Sequence, residues 1–411
     1  MEETISLINY KKELRSDPIR PSSTFQEIYG KGYVYNPKLY AHDYQHFAGN
    51  LQSLEALTAR ELCLVGDFPI VCHAATVTDQ ALSLLRKAGL KIPSIRYTYQ
   101  TDEEYIQLLN KLGEQNNRLI FQYPHPNDAV SPNLSWIDPE IQIYLCDKRS
   151  IPELVPPKNV PKRRIMSLEQ IIKEKPELPI ILKTGDGRAT SGGYGVLIIE
   201  EEKQLHEVDE TFGDLTEIIV EEAIQYDENI SVHYVVNKQG EINFLGKSAQ
   251  IVNNEGCFRG SWISVDIDDK IAEIVETGYE VMKKVAEKGY VGVAGFDVLI
   301  RGENYYFIDL NIRFNASTCG LFLYDDIQKK YQKETMRLCN LEWKNDFDQL
   351  IPVVEKYMSK DQFVPLSFLD ADYLPGENRV SKVIGLVIGH TAQEVEGVLD
   401  TMASDGLYTM E

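Results

Sequence analysis

Positive charge is scarce in this chain: 42 Lys and Arg stand against 63 Asp and Glu, a formal net charge of −21 over 411 residues. Such a balance argues against a nucleic-acid-binding surface, which needs a basic stripe. One basic cluster remains, Lys158, Lys162, Arg163 and Arg164, and it reads either as a solvated linker or as a landing point for an acidic partner. No run approaches the roughly eighteen apolar residues that mark a membrane span, and the N-terminal segment alternates charges and prolines. Neither a signal peptide nor a membrane span is expected. The six cysteines, at positions 63, 72, 146, 257, 319 and 339, show no C-x-x-C or His-coupled zinc spacing. Several sit in apolar runs such as Ile70-Val71-Cys72, so they read as reduced, mostly buried thiols of a cytoplasmic protein. Internal repeats and low-complexity tracts are also missing.

The length suggests two or three domains, and the 43% hydrophobic content is enough to bury them. From Glu61 to Pro124 strand and helix patterns alternate: Leu62 to Ile70 is apolar, Asp79 to Lys87 and Asp102 to Leu112 have helical spacing, and Arg118 to Gln122 is strand-like. That predicts a small α/β domain with a parallel sheet. The proline-bearing segment Ile151 to Arg164 reads as a connector. Between Leu178 and Asn315 the pattern is α+β, with one long helix predicted over Ile271 to Glu287. In the C-terminal tail Val380 to Gly389 has the signature of a buried strand, and Thr391 can cap a helix over Ala392 to Met402.

The richest segment is Tyr306 to Arg313, where polar residues recur at every second position of an apolar strand. Alternation sends Asp309, Asn311 and Arg313 to one face and Ile308, Leu310 and Ile312 to the other. A carboxylate, an amide oxygen and a guanidinium together suit a hard metal ion and the phosphates it carries. The preceding strand, Val291 to Ile300, is apolar except for Asp297. A three-residue loop, Gly302 to Asn304, places Asp297 opposite Asp309; a two-residue loop places them on opposite faces. Taken by itself, the hairpin also fits an edge element with a solvated polar face.

Upstream, the strand Pro179 to Thr184 carries Lys183 just before a glycine-rich loop, Gly185 to Gly195, and a second strand, Val196 to Ile199. Glycines let backbone amides approach a polyphosphate, and the hydroxyls of Thr190 and Ser191 add donors. The segment lacks the G-x-x-x-x-G-K-[ST] order of a P-loop, and no helix follows it as a Rossmann turn requires. A plain hairpin tip is the alternative. The strand Glu217 to Gln225 ends in paired carboxylates, Glu221 and Glu222, which can read the donor groups of adenine and ribose or can simply be solvated.

Lys148 after an apolar strand, Lys183 before the glycine-rich loop, Glu221-Glu222, Asp297, and Asp309-x-Asn311-x-Arg313 occur in this order, and together the chain resembles the ATP-grasp superfamily over about residues 146 to 320. The resemblance implies three parts: an N-terminal α/β pre-ATP-grasp domain (1–145), an ATP-grasp nucleotide-binding and catalytic domain (146–335), and a small C-terminal α/β extension (336–411). It implies that Lys148 and Lys183 hold the α- and β-phosphates of ATP. Ala189, Thr190, Ser191, Gly192, Gly193 and Gly195 would close over the γ-phosphate, and Glu221, Glu222, Ala223 and Glu228 would bind adenosine. Asp297, Asp309 and Asn311 would ligate Mg2+, and Arg313 would neutralise the reacting phosphoryl group, with Lys183 assisting. Position 309 is commonly glutamate in the family; aspartate is one methylene shorter, which leaves one or two metal ions open.

The runs Phe258 to Ser261, Phe314 to Thr318 and Lys382 to Thr391, with Glu394 and Val395, look similar to ATP-grasp ligases of antibiotic biosynthesis, of the pheganomycin peptide-ligase and butirosin glutamate–acyl-carrier-protein-ligase kinds. The implied chemistry is attack of a carboxylate on the γ-phosphate, giving an acyl phosphate that an amine or a thiol captures. Arg259, Arg313 and Ser317 would contact the substrate. The leading expectation is loading of glutamate onto the thiol of an acyl carrier protein, which the basic cluster would receive. Alternatives are a carboxylate–amine peptide ligase and a non-catalytic ATP-binding module. Oligomeric state is open, a homodimer included.

Overall fold

The computed structural model describes residues 18–39, 51–126, 129–184, 195–206, 208, 212, 215–253, 258–264, 268–376 and 379–410. In the N-terminal third, β1 (Tyr33–Asn36), β2 (Ile70–His73), β3 (Arg96–Tyr99) and β4 (Arg118–Phe121) form the parallel sheet expected, in the order β3-β2-β1-β4. The helices Asp79–Lys87 and Asp102–Glu114 alternate with these strands, each started by a threonine, Thr78 or Thr101, whose hydroxyl accepts the N–H three residues on. The apolar run at Leu62 is buried without being a strand: Gly66, at φ +64°, turns the chain, and the strand begins only at Ile70. Lys148 follows a helix, Pro139–Cys146, instead of the expected strand. Asp138 caps that helix, Pro139 suits its first turn, and Lys148 opens a 3-10 turn, Lys148–Ser150.

The next four strands make a small antiparallel sheet: β5 (Arg163–Met166), β6 (Ile180–Thr184), β7 (Val196–Ile199) and β8 (Ile218–Glu222), in the order β5-β8-β6-β7. Alternation along β6 puts Ile180 and Leu182 into a core shared with Ile199 and Ile218, and turns Ile181 and Lys183 to the other face.

The central sheet is built from β9 (Glu228–Val236), β10 (Ile242–Val252), β11 (Phe258–Ser264), β12 (Gly292–Arg301), β13 (Asn304–Asn311), β14 (Thr335–Trp343), β15 (Phe363–Leu369), β16 (Ser381–Gly389) and β17 (Tyr408–Thr409). Its order is β13-β12-β9-β10-β11-β14-β16-β15, with β17 beside β14, so the C-terminal strands continue the same sheet. The helix Asp269–Glu287 buries Ile274, Val281 and Met282 against Val232, Tyr234 and Phe296. Thr391 caps the last helix, Ala392–Ser404, as its sequence predicts. Among the described residues no helix is long and apolar enough to cross a membrane. The five described cysteines are free thiols, and Cys257 lies outside the described residues.

The β12–β13 hairpin departs from expectation in its loop and meets it in its outcome. Arg301 pairs with Asn304, so the loop is the two residues Gly302 and Glu303, with Gly302 at φ +54° as the primed hairpin turns require. Unbroken, that register would set Ile308 opposite Asp297. A β-bulge intervenes: Val298 pairs with Phe307 but Asp297 with Asp309. The extra residue, Ile308, reverses the alternation. Tyr305 and Phe307 before it, and Leu310 and Ile312 after it, all lie in the core. Ile308 itself leaves the core face predicted for it and joins Asp309, Asn311 and Arg313 in lining a cavity. Deleting Ile308 should leave an unbroken ladder that keeps Asp309 opposite Asp297, remove the bulged carbonyl that Lys183 takes at 3.0 Å, and cost about 2 kcal/mol. A urea denaturation midpoint equal to that of the parent would remove the bulge from this account.

Candidate active site

A cavity of about 470 Å3 lies among the three sheets. Lys148, Lys183, Glu221, Glu222, Arg259, Asp297, Asp309, Asn311, Arg313 and Ser317, all singled out from the sequence, line it. Ala223 and Glu228 are not among its lining residues. Glu228 is exposed in register with Ile300, and the cavity is reached one position later by Asn229, whose buried Oδ1 has no hydrogen-bond partner. Gly195 stands at the base of the β6–β7 hairpin at φ +71°, its carbonyl accepting the Thr184 N–H at 3.0 Å. Ala189, Thr190, Ser191, Gly192 and Gly193 lie outside the described residues.

Two carboxylates face each other across β12 and β13. Asp297 accepts from Asn311 Nδ2 at 3.1 Å and from Gln250 Nε2 at 2.7 Å, which leaves Asn311 Oδ1 as an acceptor. Burial, reinforced by the like charge of Asp309, pushes the Asp297 carboxyl up to about 7. Asp309 is also buried, but the cations Lys148, Lys183 and Arg313 outweigh that cost and hold its carboxyl below the usual range. Lys148 Nζ sits 3.0 Å from Asp309 Oδ2. An ammonium therefore already occupies the position of a countercharge to this carboxylate.

Lys183 is buried in β6 and bonds to Glu221 Oε1 at 2.6 Å and to the carbonyl of the bulged Ile308 at 3.0 Å. Desolvation lowers its pKa, with Glu221 opposing. Glu221 also takes the guanidinium of Arg163, its register partner on β5, and Arg163 donates to the Lys148 carbonyl at 2.9 Å. Of the basic cluster, Arg163 is turned inward to Glu221, while Lys158, Lys162 and Arg164 are exposed, Arg164 pairing with Glu174 at 2.6 Å. Gln250, Asn229 and Arg163 are the site residues that sequence reasoning missed.

All the oxygen donors here, two aspartates and one asparagine, are of the hard type that binds Mg2+, and the shared charge on Asp297 and Asp309 calls for a cation. Among the described residues no group of three or more His, Cys, Asp or Glu is gathered for a metal, so the amide of Asn311 completes the set.

Residues 161–311 match a family model described as L-aspartate--L-methionine ligase, ATP grasp, and residues 24–143 match the L-aspartate--L-methionine ligase N-terminal domain. The chain belongs to the ATP-grasp superfamily. It is an ATP-dependent ligase whose cofactors are ATP and Mg2+. The match corrects the finer expectation, since it lies outside the antibiotic-biosynthesis branch that loads carrier proteins. Solved structures of similar fold include N5-carboxyaminoimidazole synthetase from Staphylococcus aureus complexed with ADP, at TM-score 0.58 and 12% identity over 92% of this chain and 99% of that one. Biotin carboxylase from Campylobacter jejuni, a β-γ-ATP complex, aligns at TM-score 0.56 and 15% identity over 92% and 93%. L-amino acid ligase from Bacillus licheniformis aligns at 0.53 and 12% over 92% and 98%.

We propose that Asp297 is a ligand of a divalent cation, and its raised carboxyl would then make cation binding pH-dependent. Below about 7 this carboxyl holds a proton that a divalent cation must displace, and above that range it is already ionised. Magnesium affinity of this ATP-grasp site should therefore rise between pH 6 and about 8 and then level off. Calorimetric titration in two buffers of different ionisation heat checks this: proton release should be seen at pH 6.5 and vanish at pH 9.

Proposed function

We propose that this chain joins L-aspartate to L-methionine through a peptide bond, as an ATP-dependent acid–amine ligase. The observation that carries the reading is that two separate family models of the same description match the N-terminal domain and the nucleotide domain. The cavity supports it chemically. Cations for a donor carboxylate, Arg259 and Arg313, line the same cavity as the carboxylates proposed for a metal.

A free carboxylate is a poor electrophile at neutral pH, so the donor must be activated. In the reaction proposed, a carboxylate oxygen of aspartate bonds to the γ-phosphorus of ATP, and the bond from that phosphorus to the β–γ bridging oxygen breaks to release ADP. The unprotonated amine of methionine then attacks the acyl carbon. Its C–O bond to phosphate breaks, inorganic phosphate leaves, and the amine proton passes to phosphate or solvent. Asp297, Asp309 and Asn311 would hold Mg2+, which would supply charge neutralisation for the phosphates. Lys148 and Lys183 are placed to hold phosphate oxygens by exchanging their present carboxylate partners for them. Arg313 meets the negative charge that develops on the transferring group, and Glu222 with Asn229 faces the nucleoside. No side chain acts as a nucleophile; the protein positions the reactants and neutralises their charge.

Incubation of the purified protein with ATP, Mg2+, L-aspartate and L-methionine should yield one ADP per aspartyl-methionine, read by mass spectrometry. ADP release that depends on a holo carrier protein, with no dipeptide, would overturn the reading. Asp309→Ala and Asn311→Ala should each lower turnover by about 100-fold or more, because both face the cavity and not the core. Both should keep the parent's circular dichroism; the thermal midpoint should stay close for Asn311→Ala and fall for Asp309→Ala, which takes from the buried Lys148 its carboxylate partner.

A further inference from the structure

The cavity extends well past the metal-binding strands. From β12 it crosses the central sheet by way of β9, β10 and β11 to β14 and β16, five strand spacings or about 24 Å. Its far end is walled by Leu57, Leu341, Val383 and Ile384, with Asn340 and the Glu342-paired Lys382 beside them. The 3-10 segment Leu51–Ala59 packs there against β15 and β16, anchored by the Ser367 hydroxyl, which donates to the Ala56 carbonyl at 2.7 Å. At the end of this segment stands Arg60, a cavity-lining cation supplied by the N-terminal domain.

Arg60 is 5% exposed and sits in an unusual arrangement. Its Nε, at 2.7 Å, and its Nη2, at 2.6 Å, both donate to a single oxygen of Glu61, Oε1. Glu61 is fully buried, does not line the cavity, and leaves its own Oε2 without a partner. The guanidinium is thus gripped along one edge, and its remaining nitrogen, Nη1, has no partner among the described residues. The Arg60 carbonyl accepts from the thiol of Cys319, two residues beyond the cavity-lining Ser317, at 3.3 Å. That bond ties Arg60 to the first turn of the helix Thr318–Tyr331, which follows the loop from Arg313. A guanidinium gripped along one edge, with its other donor edge open on a partly apolar cavity, is suited to receive a carboxylate.

We propose that Arg60 binds the α-carboxylate of the acceptor amino acid, with the far end of the cavity receiving its uncharged side chain. This rests on the acid–amine reading given above. An acceptor amino acid offers three groups: the amine that must reach the acyl phosphate, a carboxylate two bonds away from it, and a side chain. Arg60 beside the Phe314 to Ser317 loop, with Leu57, Leu341 and Val383 beyond, matches that order of charge and apolarity. Glu61 is the positioning residue that orients the guanidinium from behind.

Removing Arg60 alone would strand a buried carboxylate, so the test uses the paired variant Arg60→Gln with Glu61→Gln, and Arg60→Lys beside it. Initial rates are measured with L-methionine and with methioninamide, which lacks the carboxylate charge, at saturating ATP and aspartate. The wild type should prefer methionine. The paired variant should raise the KM for methionine about 10- to 100-fold and lose the preference over methioninamide, with the KM values for ATP and aspartate within about twofold of wild type. Arg60→Lys, keeping the charge but not the fork, should fall between. A paired variant that forms dipeptide and keeps the wild-type preference for methionine over its amide overturns the role of Arg60 while leaving the ligase reading intact. A wild type that makes no dipeptide overturns both.

Discussion

The bulge at Ile308 fixes which side chains of β13 face the cavity, and the chemistry of the site depends on it. A two-residue turn is the economical way to close the β12–β13 hairpin, but its register would aim Asp309 and Asn311 at the core. One inserted residue restores the pairing of Asp309 with Asp297 and leaves an unpaired carbonyl, which Lys183 takes at 3.0 Å. The same irregularity therefore builds the aspartate pair proposed to hold a metal and ties the small sheet to the central one. An unsatisfied carbonyl in this buried position would cost stability; here it becomes an anchor for a lysine.

The second feature of the site is that its cations are already paired. Lys148 rests on Asp309, and Lys183 and Arg163 share Glu221. Burying lone charges would be prohibitive, and pairing them makes burial tolerable without adding much net stability. A nucleotide with magnesium brings both charge signs at once, so each lysine can exchange a carboxylate for a phosphate while a metal takes over the carboxylates. Each buried charge keeps a partner of opposite sign through the exchange, which lets the cavity take a polyanion.

The β12–β13 hairpin, the long helix after β11, the lysine before the glycine-rich loop and the parallel N-terminal sheet were all legible, because each rests on periodicity or on a turn residue. The bulge was not: Ile308 is as β-branched as its neighbours and nothing marks it as an insertion. Lys148 was placed after a strand because Ile141 to Cys146 is a short apolar run, which periodicity cannot assign; Asp138 and Pro139 were the signals for a helix. Arg163 looked like part of a surface cluster because its partner, Glu221, is 58 residues away and only strand register joins them. The choice between thiol and amine acceptors left no local signature, and the amine acceptor proposed rests on the family match of both domains.

The central claim is that this cavity activates a carboxylate by phosphorylating it. It is tested most directly with aspartate carrying 18O in its carboxyl groups, incubated with ATP, Mg2+, L-methionine and the enzyme. Formation and breakdown of an acyl phosphate moves one 18O atom into each inorganic phosphate released, seen as a mass increase of about 2 Da in the phosphate and the loss of one label from the dipeptide. Phosphate that emerges unlabelled while dipeptide accumulates would contradict the account.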